Sequence, residues 1–275
     1  MQKQEYAVVA LDMDGTLLNS NHETTPLTRR ILRQADGAGK IIALATGRCL
    51  SELRDHVERI GAIRYVICEN GACVYDTRAQ RSISRIAIKP EDIEFILRLS
   101  EEFDAVMQFF MEDQSYLKGS ADMDLKPYHL EDFRAVFEQG SIFAEDLPER
   151  YRAANAQVDK VNFYFRTPED REAMRRRLAG RDLITVYSIG IGLEISPAGV
   201  NKGRGLERLC AHLNVPLQQS IAIGDGGNDL DIMRTAGLAV AMGNAIPEVT
   251  ALADAVTEDC DHDGAARAVE RYMLA

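Results

Sequence analysis

Positive charge is in short supply in this chain. Lys and Arg number 32 against 43 Asp and Glu, a formal net charge of −11. A surface of that sign repels nucleic acid and anionic membranes, so neither is an expected partner. A chain of this kind that handles phosphate esters must gather positive charge locally, in particular Lys or Arg residues or in a bound cation. Paired cysteines are also missing. The five (Cys49, Cys68, Cys73, Cys210 and Cys260) are scattered with no CxxC pair, which argues against a zinc ribbon or a dithiol motif. The five histidines show no HxxxH spacing. No apolar run is long enough to span a bilayer. Met-Gln-Lys-Gln-Glu leads straight towards a strand with no signal-peptide apolar region, so we expect a cytoplasmic protein with reduced thiols. Tryptophan is absent, which excludes nothing. Nothing in the sequence sets an oligomeric state.

What is present is a globular chain. Its 275 residues are 46% apolar and 27% charged, enough for one large domain or two unequal ones. Tyr6–Leu11 is a nearly continuous apolar run, the pattern of a strand buried on both faces. Thr25 before Pro26 predicts a helix start, with a stop near Gly39. Ile41–Ala45 and Tyr65–Cys68 read as further strands, with a helix from a Ser51 cap to Ile60 between them and a strand Ala72–Tyr75 after an Asn-Gly turn. Strands alternating with helices imply a parallel sheet covered on both sides.

From about Ser84 the pattern changes. Ile86–Ile88, Val106–Phe110, Tyr116–Lys118, Val161–Phe165 and Thr185–Tyr187 read as strands with one solvated face, clearest in the alternation of Lys160–Phe165. Pro90–Glu102 and Pro168–Leu178 read as amphipathic helices upon them, while 126–152 is harder to assign and is expected to be helical in part. The alternating pattern returns with a helix at Lys202–Leu213, strands at Ser220–Ile223 and Leu238–Ala241, and helices at Asn228–Ala236, Pro247–Ala253 and Asp263–Leu274. The expected fold is α/β: a Rossmann-like, mostly parallel sheet core from residues 1–83 and 190–275, with an inserted α+β domain at 84–189.

The chemistry concentrates at strand ends, where open α/β sheets bind ligands. Asp12-Met13-Asp14-Gly15-Thr16 directly follows the first strand, and Gly224-Asp225-Gly226-Gly227-Asn228-Asp229 directly follows Ser220–Ile223. If the two strands are neighbours, Asp12, Asp14, Asp225 and Asp229 converge. Two like charges about 4 Å apart repel by roughly 4 kcal/mol at an effective dielectric of 20, so such a site needs a cation or protons. With oxygen ligands alone, Mg²⁺ is favoured. Thr46-Gly47-Arg48 follows another strand, and its hydroxyl and backbone N–H groups suit a phosphoryl oxygen. Asn201-Lys202-Gly203 opens a helix, where a Lys is unfavourable unless an anion lies nearby. Taken alone, Thr-Gly-Arg and Lys-Gly are each more often an ordinary turn or a solvated Lys; the ordered set carries the argument.

That set (DMDGT, TGR, NKG and GDGGND, in this order) resembles the haloacid dehalogenase superfamily of phosphohydrolases. The long insert, Asn70-Gly71-Ala72, EISPAGVNKG at Glu194–Gly203 and VAMGNAIP at Val240–Pro247 resemble its Cof-type sugar-phosphatase branch, subfamily IIB, whose cap is of the C2B type. The resemblance implies a phosphoric monoester hydrolase with an aspartyl-phosphate intermediate and Mg²⁺ as cofactor. Asp12 would be nucleophile and metal ligand, Asp14 general acid and then base with its carbonyl on the metal, and Lys202 the neutralising cation. Asp225 and Asp229 would complete the metal set. Met13, Thr46, Gly47, Arg48, Asn70, Lys202 and Asn228 would line the substrate site. One departure is Cys260-Asp261-His262-Asp263-Gly264, where the branch has Asn-x-Glu-Asp-Gly. The expected substrate is a small phosphorylated metabolite, a sugar phosphate by resemblance, with pyridoxal phosphate and flavin mononucleotide also open. Cap segments Met111–Tyr116 and Lys118–Lys126 are candidates for choosing it. A phosphomutase sharing the aspartyl-phosphate and a catalytically silent metabolite-binding protein are the rival functions.

Overall fold

The computed structural model describes residues 5–275, which divide into two compact units. The first comprises the chain up to Arg48, Arg54–Arg85 and Val200–Ala275; the second comprises Cys49–Leu53 and Ile86–Gly199.

An eight-stranded sheet forms the first unit. Its spatial order is Ala255–Val256, Leu238–Ala241, Ser220–Gly224, Val8–Leu11, Ile41–Ala45, Tyr65–Cys68, Cys73–Asp76 and Arg81–Arg85. The first six run parallel, and the last two are added by antiparallel pairing, each to the strand before it. The central strands are buried along their whole length, which is why they read as unbroken apolar runs. Thr25 caps the helix Pro26–Gly37 as its sequence predicts, its hydroxyl accepting from the Thr28 N–H. The helix placed at Ser51–Ile60 starts later, at Arg54, after a 3₁₀ turn at Leu50–Glu52. Ser51 is not its cap, because its hydroxyl donates to the Gly140 carbonyl within the second unit.

The second unit holds a six-stranded sheet, in the order Leu183–Ser188, Gly192–Pro197, Val158–Phe165, Ala105–Met111, Gln114–Lys118 and Ser141–Ala144. All neighbours are antiparallel except the last pair. Ile86–Ile88 is irregular chain; the strand lies just before it, at Arg81–Arg85, and pairs in the first sheet. Gly192–Pro197 pairs with Val158–Phe165 and Leu183–Ser188, so the second unit runs on past 189 to Gly199.

One expectation fails instructively. Val158–Phe165 has no solvated face: every residue is buried. On one side Phe163 and Phe165 join Ile93, Ile96, Phe109 and Met174 beneath the helices Pro90–Ser100 and Pro168–Leu178. On the other, Tyr164 packs with Leu117, Leu125, Leu130 and Phe137. The cover comes from residues 125–140, which form short 3₁₀ turns and the helix Arg134–Gly140, within the stretch 126–152 expected to be helical in part. The polar side chains of that face form a buried network. Tyr164 Oη donates to Gln108 Oε1 at 2.6 Å, Asn162 Nδ2 to Tyr164 Oη at 3.1 Å, and Gln108 Nε2 to Ser115 Oγ at 2.6 Å. Cys49, Cys68, Cys73 and Cys210 are buried, and Cys260 is half-buried. No helix of the described residues is long and apolar enough to cross a membrane.

Candidate active site

Parallel pairing of Val8–Leu11 with Ser220–Ile223 sets two strand ends side by side. Asp12 follows one and Asp225 the other, and the Asp12 N–H still donates to the Ile223 carbonyl at 2.9 Å. Gly15 makes the turn possible. Its φ is +78°, and a Cβ there would sit 2.5 Å from Asp225 Oδ2, so no side chain is tolerated. Asp229 is buried in the turn after Asp225; its Oδ2 accepts from the N–H groups of Asp225 and Gly226, each at 3.0 Å. Carboxylate oxygens of Asp12, Asp225 and Asp229 all lie within 4.8 Å of one another.

Lys202 enters the same cluster from the first residue of its helix, which Asn201 caps by accepting from the Arg204 N–H. The Lys side chain is 0% exposed, and Nζ donates to Asp12 Oδ1 at 2.5 Å and Asp229 Oδ1 at 2.6 Å. Burial disfavours its charge, but Asp12 and Asp229 outweigh that, and its pKa is raised. Burial likewise pushes the Asp12 carboxyl up to about 7, with Lys202 pulling it down. Asp225 is also raised, first by burial, with the Thr16 hydrogen bond opposing. Three carboxylates facing one ammonium leave negative charge in excess. The donor set is three oxygens with no thiolate or imidazole, which fits a hard cation such as Mg²⁺.

Other predicted residues stand in two further groups. The Asp14 carboxylate is outside the acidic cluster and half exposed, held by Arg48 through Nε at 2.9 Å and through Nη2. His22 Nδ1 is 4.0 Å from it. Thr46 is buried at the end of Ile41–Ala45, its hydroxyl accepting from the Arg48 N–H at 3.2 Å. Asn70 closes on Gly47, where a Cβ would meet its Oδ1 at 3.2 Å, and accepts from Asn228 Nδ2 at 3.2 Å. Met13 is fully buried, and its carbonyl is taken by the N–H groups of Leu17 and Leu18.

Two residues that sequence reasoning passed over hold Asp225. The Thr16 hydroxyl donates to Oδ1 at 2.8 Å, and Asn244 Nδ2 lies 3.4 Å from Oδ2. The signals were the Thr of DMDGT and the Asn of VAMGNAIP, but neither segment says which oxygen it serves.

A carboxylate–lysine cluster at the strand ends of a parallel sheet defines a class of hydrolase, and comparison identifies it. Residues 9–269 match the model of the haloacid dehalogenase-like hydrolase family. The chain belongs to this family, in its Cof-type branch. It is 30% identical to the HMP-PP phosphatase of Serratia proteamaculans (strain 568), over 98% of this chain and 96% of that one. It is 28% identical to the phosphatase YwpJ of Bacillus subtilis (strain 168), over 97% of this chain and 99% of that one. Among solved structures, the subclass IIB sugar phosphatase BT4131 is 25% identical with a TM-score of 0.76, covering 96% of this chain and 98% of that one. A haloacid dehalogenase-like hydrolase from Bacteroides thetaiotaomicron, 23% identical, matches the fold with a TM-score of 0.86 over 97% of this chain and 99% of that one.

Proposed function

We propose that this phosphatase hydrolyses a small phosphoric monoester in two displacements, with Asp12 as nucleophile and Mg²⁺ as cofactor. The observation that carries the reading is the buried Asp12 carboxylate, with Lys202 Nζ at 2.5 Å and oxygens of Asp225 and Asp229 within 4.8 Å. In the first displacement an Asp12 oxygen bonds to phosphorus while the bond to the ester oxygen breaks, leaving an acyl phosphate on Asp12. Asp14 is assigned as the acid that protonates the departing alkoxide. Its carboxylate then takes a proton from water, whose oxygen attacks phosphorus and releases phosphate and free Asp12. Lys202 faces the charge on the transferring oxygens, and Thr46, the Gly47 N–H and Asn228 hold them in place. The side chains of Asp12, Asp225 and Asp229 and the Asp14 carbonyl would hold Mg²⁺, which when bound supplies positive charge at the phosphoryl group.

The second unit is assigned as the cap that selects the leaving group. A relative named HMP-PP phosphatase and a structural neighbour named sugar phosphatase support a small phosphorylated substrate, with sugar phosphates favoured. The test is phosphate release from a panel of sugar phosphates and HMP-PP, with and without Mg²⁺. The wild type turns over with Mg²⁺ and not after chelation, and Asp12→Asn is inactive on every compound. Lys202→Ala and Thr46→Ala lose on the order of 10²- to 10³-fold, as for the loss of one oxyanion donor. Turnover persisting in Asp12→Asn would end the nucleophile assignment.

A further inference from the structure

Asn244 lies in the loop after Leu238–Ala241 and is exposed, yet its whole amide is engaged. Nδ2 donates to the Gly15 carbonyl at 2.8 Å and lies 3.4 Å from Asp225 Oδ2, while Oδ1 accepts from the Cys260 N–H at 2.9 Å. The reverse orientation would set oxygen against two acceptors and NH₂ against a donor, so the network fixes the amide one way. The loop itself cannot drift. Met242 N–H donates to the Gly224 carbonyl and Ile246 N–H to that of Asp225, each at 3.0 Å. Gly243 N–H donates to the Glu258 carbonyl at 3.0 Å, and a Cβ on Gly243 would stand 2.8 Å from the Asp259 nitrogen, so only glycine lets the C-terminal segment approach.

That segment grips the other side of the site as well. Asp261 Oδ1 accepts from the Ser20 N–H at 2.9 Å, and Asp263 Oδ1 accepts from the Thr25 hydroxyl. Cys260–Asp263 therefore joins the turn after Asp12 to the loop beside Asp225, and Asn244 is the side chain that carries the join to a carboxylate. With Thr16 on Oδ1 and Asn244 on Oδ2, each oxygen of Asp225 has one donor and keeps lone pairs for a cation.

We infer that Asn244 is a positioning residue for the cation: it sets the plane of the Asp225 carboxylate and the Gly15 turn relative to each other, and takes its own orientation from Cys260. The inference rests on the reading that Asp225 binds Mg²⁺. Loss of such a supporting partner weakens metal affinity by about 10- to 100-fold.

The experiment is calorimetric titration of Mg²⁺ into the full chain, with melting temperatures measured alongside. Asn244→Ala weakens the Mg²⁺ Kd by about tenfold or more. Its turnover recovers at saturating Mg²⁺ while the KM for substrate is unchanged. Asn244→Ser, a second variant lacking the amide, behaves alike. Asp263→Ala, which cuts the same segment from Thr25 without touching Asp225, melts lower and keeps the wild-type Kd. Asp225→Asn loses the binding heat. A lower melting temperature in Asn244→Ala with Kd within about twofold of wild type would overturn the inference and leave the cation site standing. Should Asp225→Asn bind as tightly as wild type, or the wild type take up no Mg²⁺, the cation site itself fails and the inference falls with it.

Discussion

At the scale of single residues, Asp12 meets two demands that pull apart. In its proposed roles as nucleophile and metal ligand it must be ionised, but burial raises its pKa to about 7 despite Lys202 at 2.5 Å. A cation binds the ionised form only, so Mg²⁺ must displace the proton that burial favours. Below pH 7 the proton competes, and Mg²⁺ affinity falls as pH falls; above about 8 the competition vanishes. Titrations at pH 6, 7 and 8 are expected to show the tightest binding at pH 8, with protons released into the buffer near pH 7. An equal Kd at pH 6 and pH 8 would show that Asp12 is already ionised in the metal-free protein. The convergence of Asp12, Asp225, Asp229 and Lys202 was legible because each sits at or just after a strand or helix end on the same rim of the sheet. Thr16 and Asn244 were not, because their meaning lies in which carboxylate oxygen they donate to. Arg48, expected at the substrate site, holds the Asp14 carboxylate, a pairing that its place in Thr-Gly-Arg does not reveal.

Among the elements, Val158–Phe165 departs furthest from its sequence. Alternating polar and apolar side chains signal a sheet half in water. Here the polar positions meet one another and a cover of short turns, and a cover without periodicity leaves no trace in a helical or strand pattern. One atom of the network carries two of its bonds. Tyr164→Phe keeps the ring against Phe137 but removes the 2.6 Å bond to Gln108 Oε1 and the acceptor for Asn162 Nδ2. Asn162 Nδ2 and Gln108 Oε1 keep their mutual contact at 3.4 Å, so the variant loses the net worth of a buried hydrogen bond, about 0.5–1.5 kcal/mol, and urea unfolding should show a loss of that size. A loss below about 0.5 kcal/mol, the size of an ordinary surface change, would mean that the network is satisfied some other way. Parallel strands such as Ile41–Ala45 were read to the residue because burial on both faces leaves only one pattern to write.

For the molecule as a whole, the important fact is that each unit has apolar core of its own. One gathers Val8, Ala43, Tyr65, Leu206 and Val249 in the first unit; the other gathers Ile96, Phe109, Phe163 and Leu193 in the second. A unit with its own core can melt on its own. Scanning calorimetry is expected to resolve two transitions, with Mg²⁺ raising only that of the first unit, which holds all three clustered carboxylates. Cation at 100 times its Kd adds about 2.7 kcal/mol to that unit. A single transition that moves as one with Mg²⁺ would show the two cores to be coupled. The joins between units were the least legible feature, since Arg81–Arg85 and Gly192–Pro197 are both strands and only pairing decides which sheet each serves.

The distribution of sulfur has a practical consequence. Four thiols are shut inside, and the half-buried one belongs to Cys260, whose main chain is tied to Asn244. A maleimide dye offered to the native protein therefore has one favoured address, a few bonds from the loop that braces Asp225. If Asp225 takes up Mg²⁺ as proposed, the emission of such a dye is expected to change on titration with Mg²⁺, with no substrate needed.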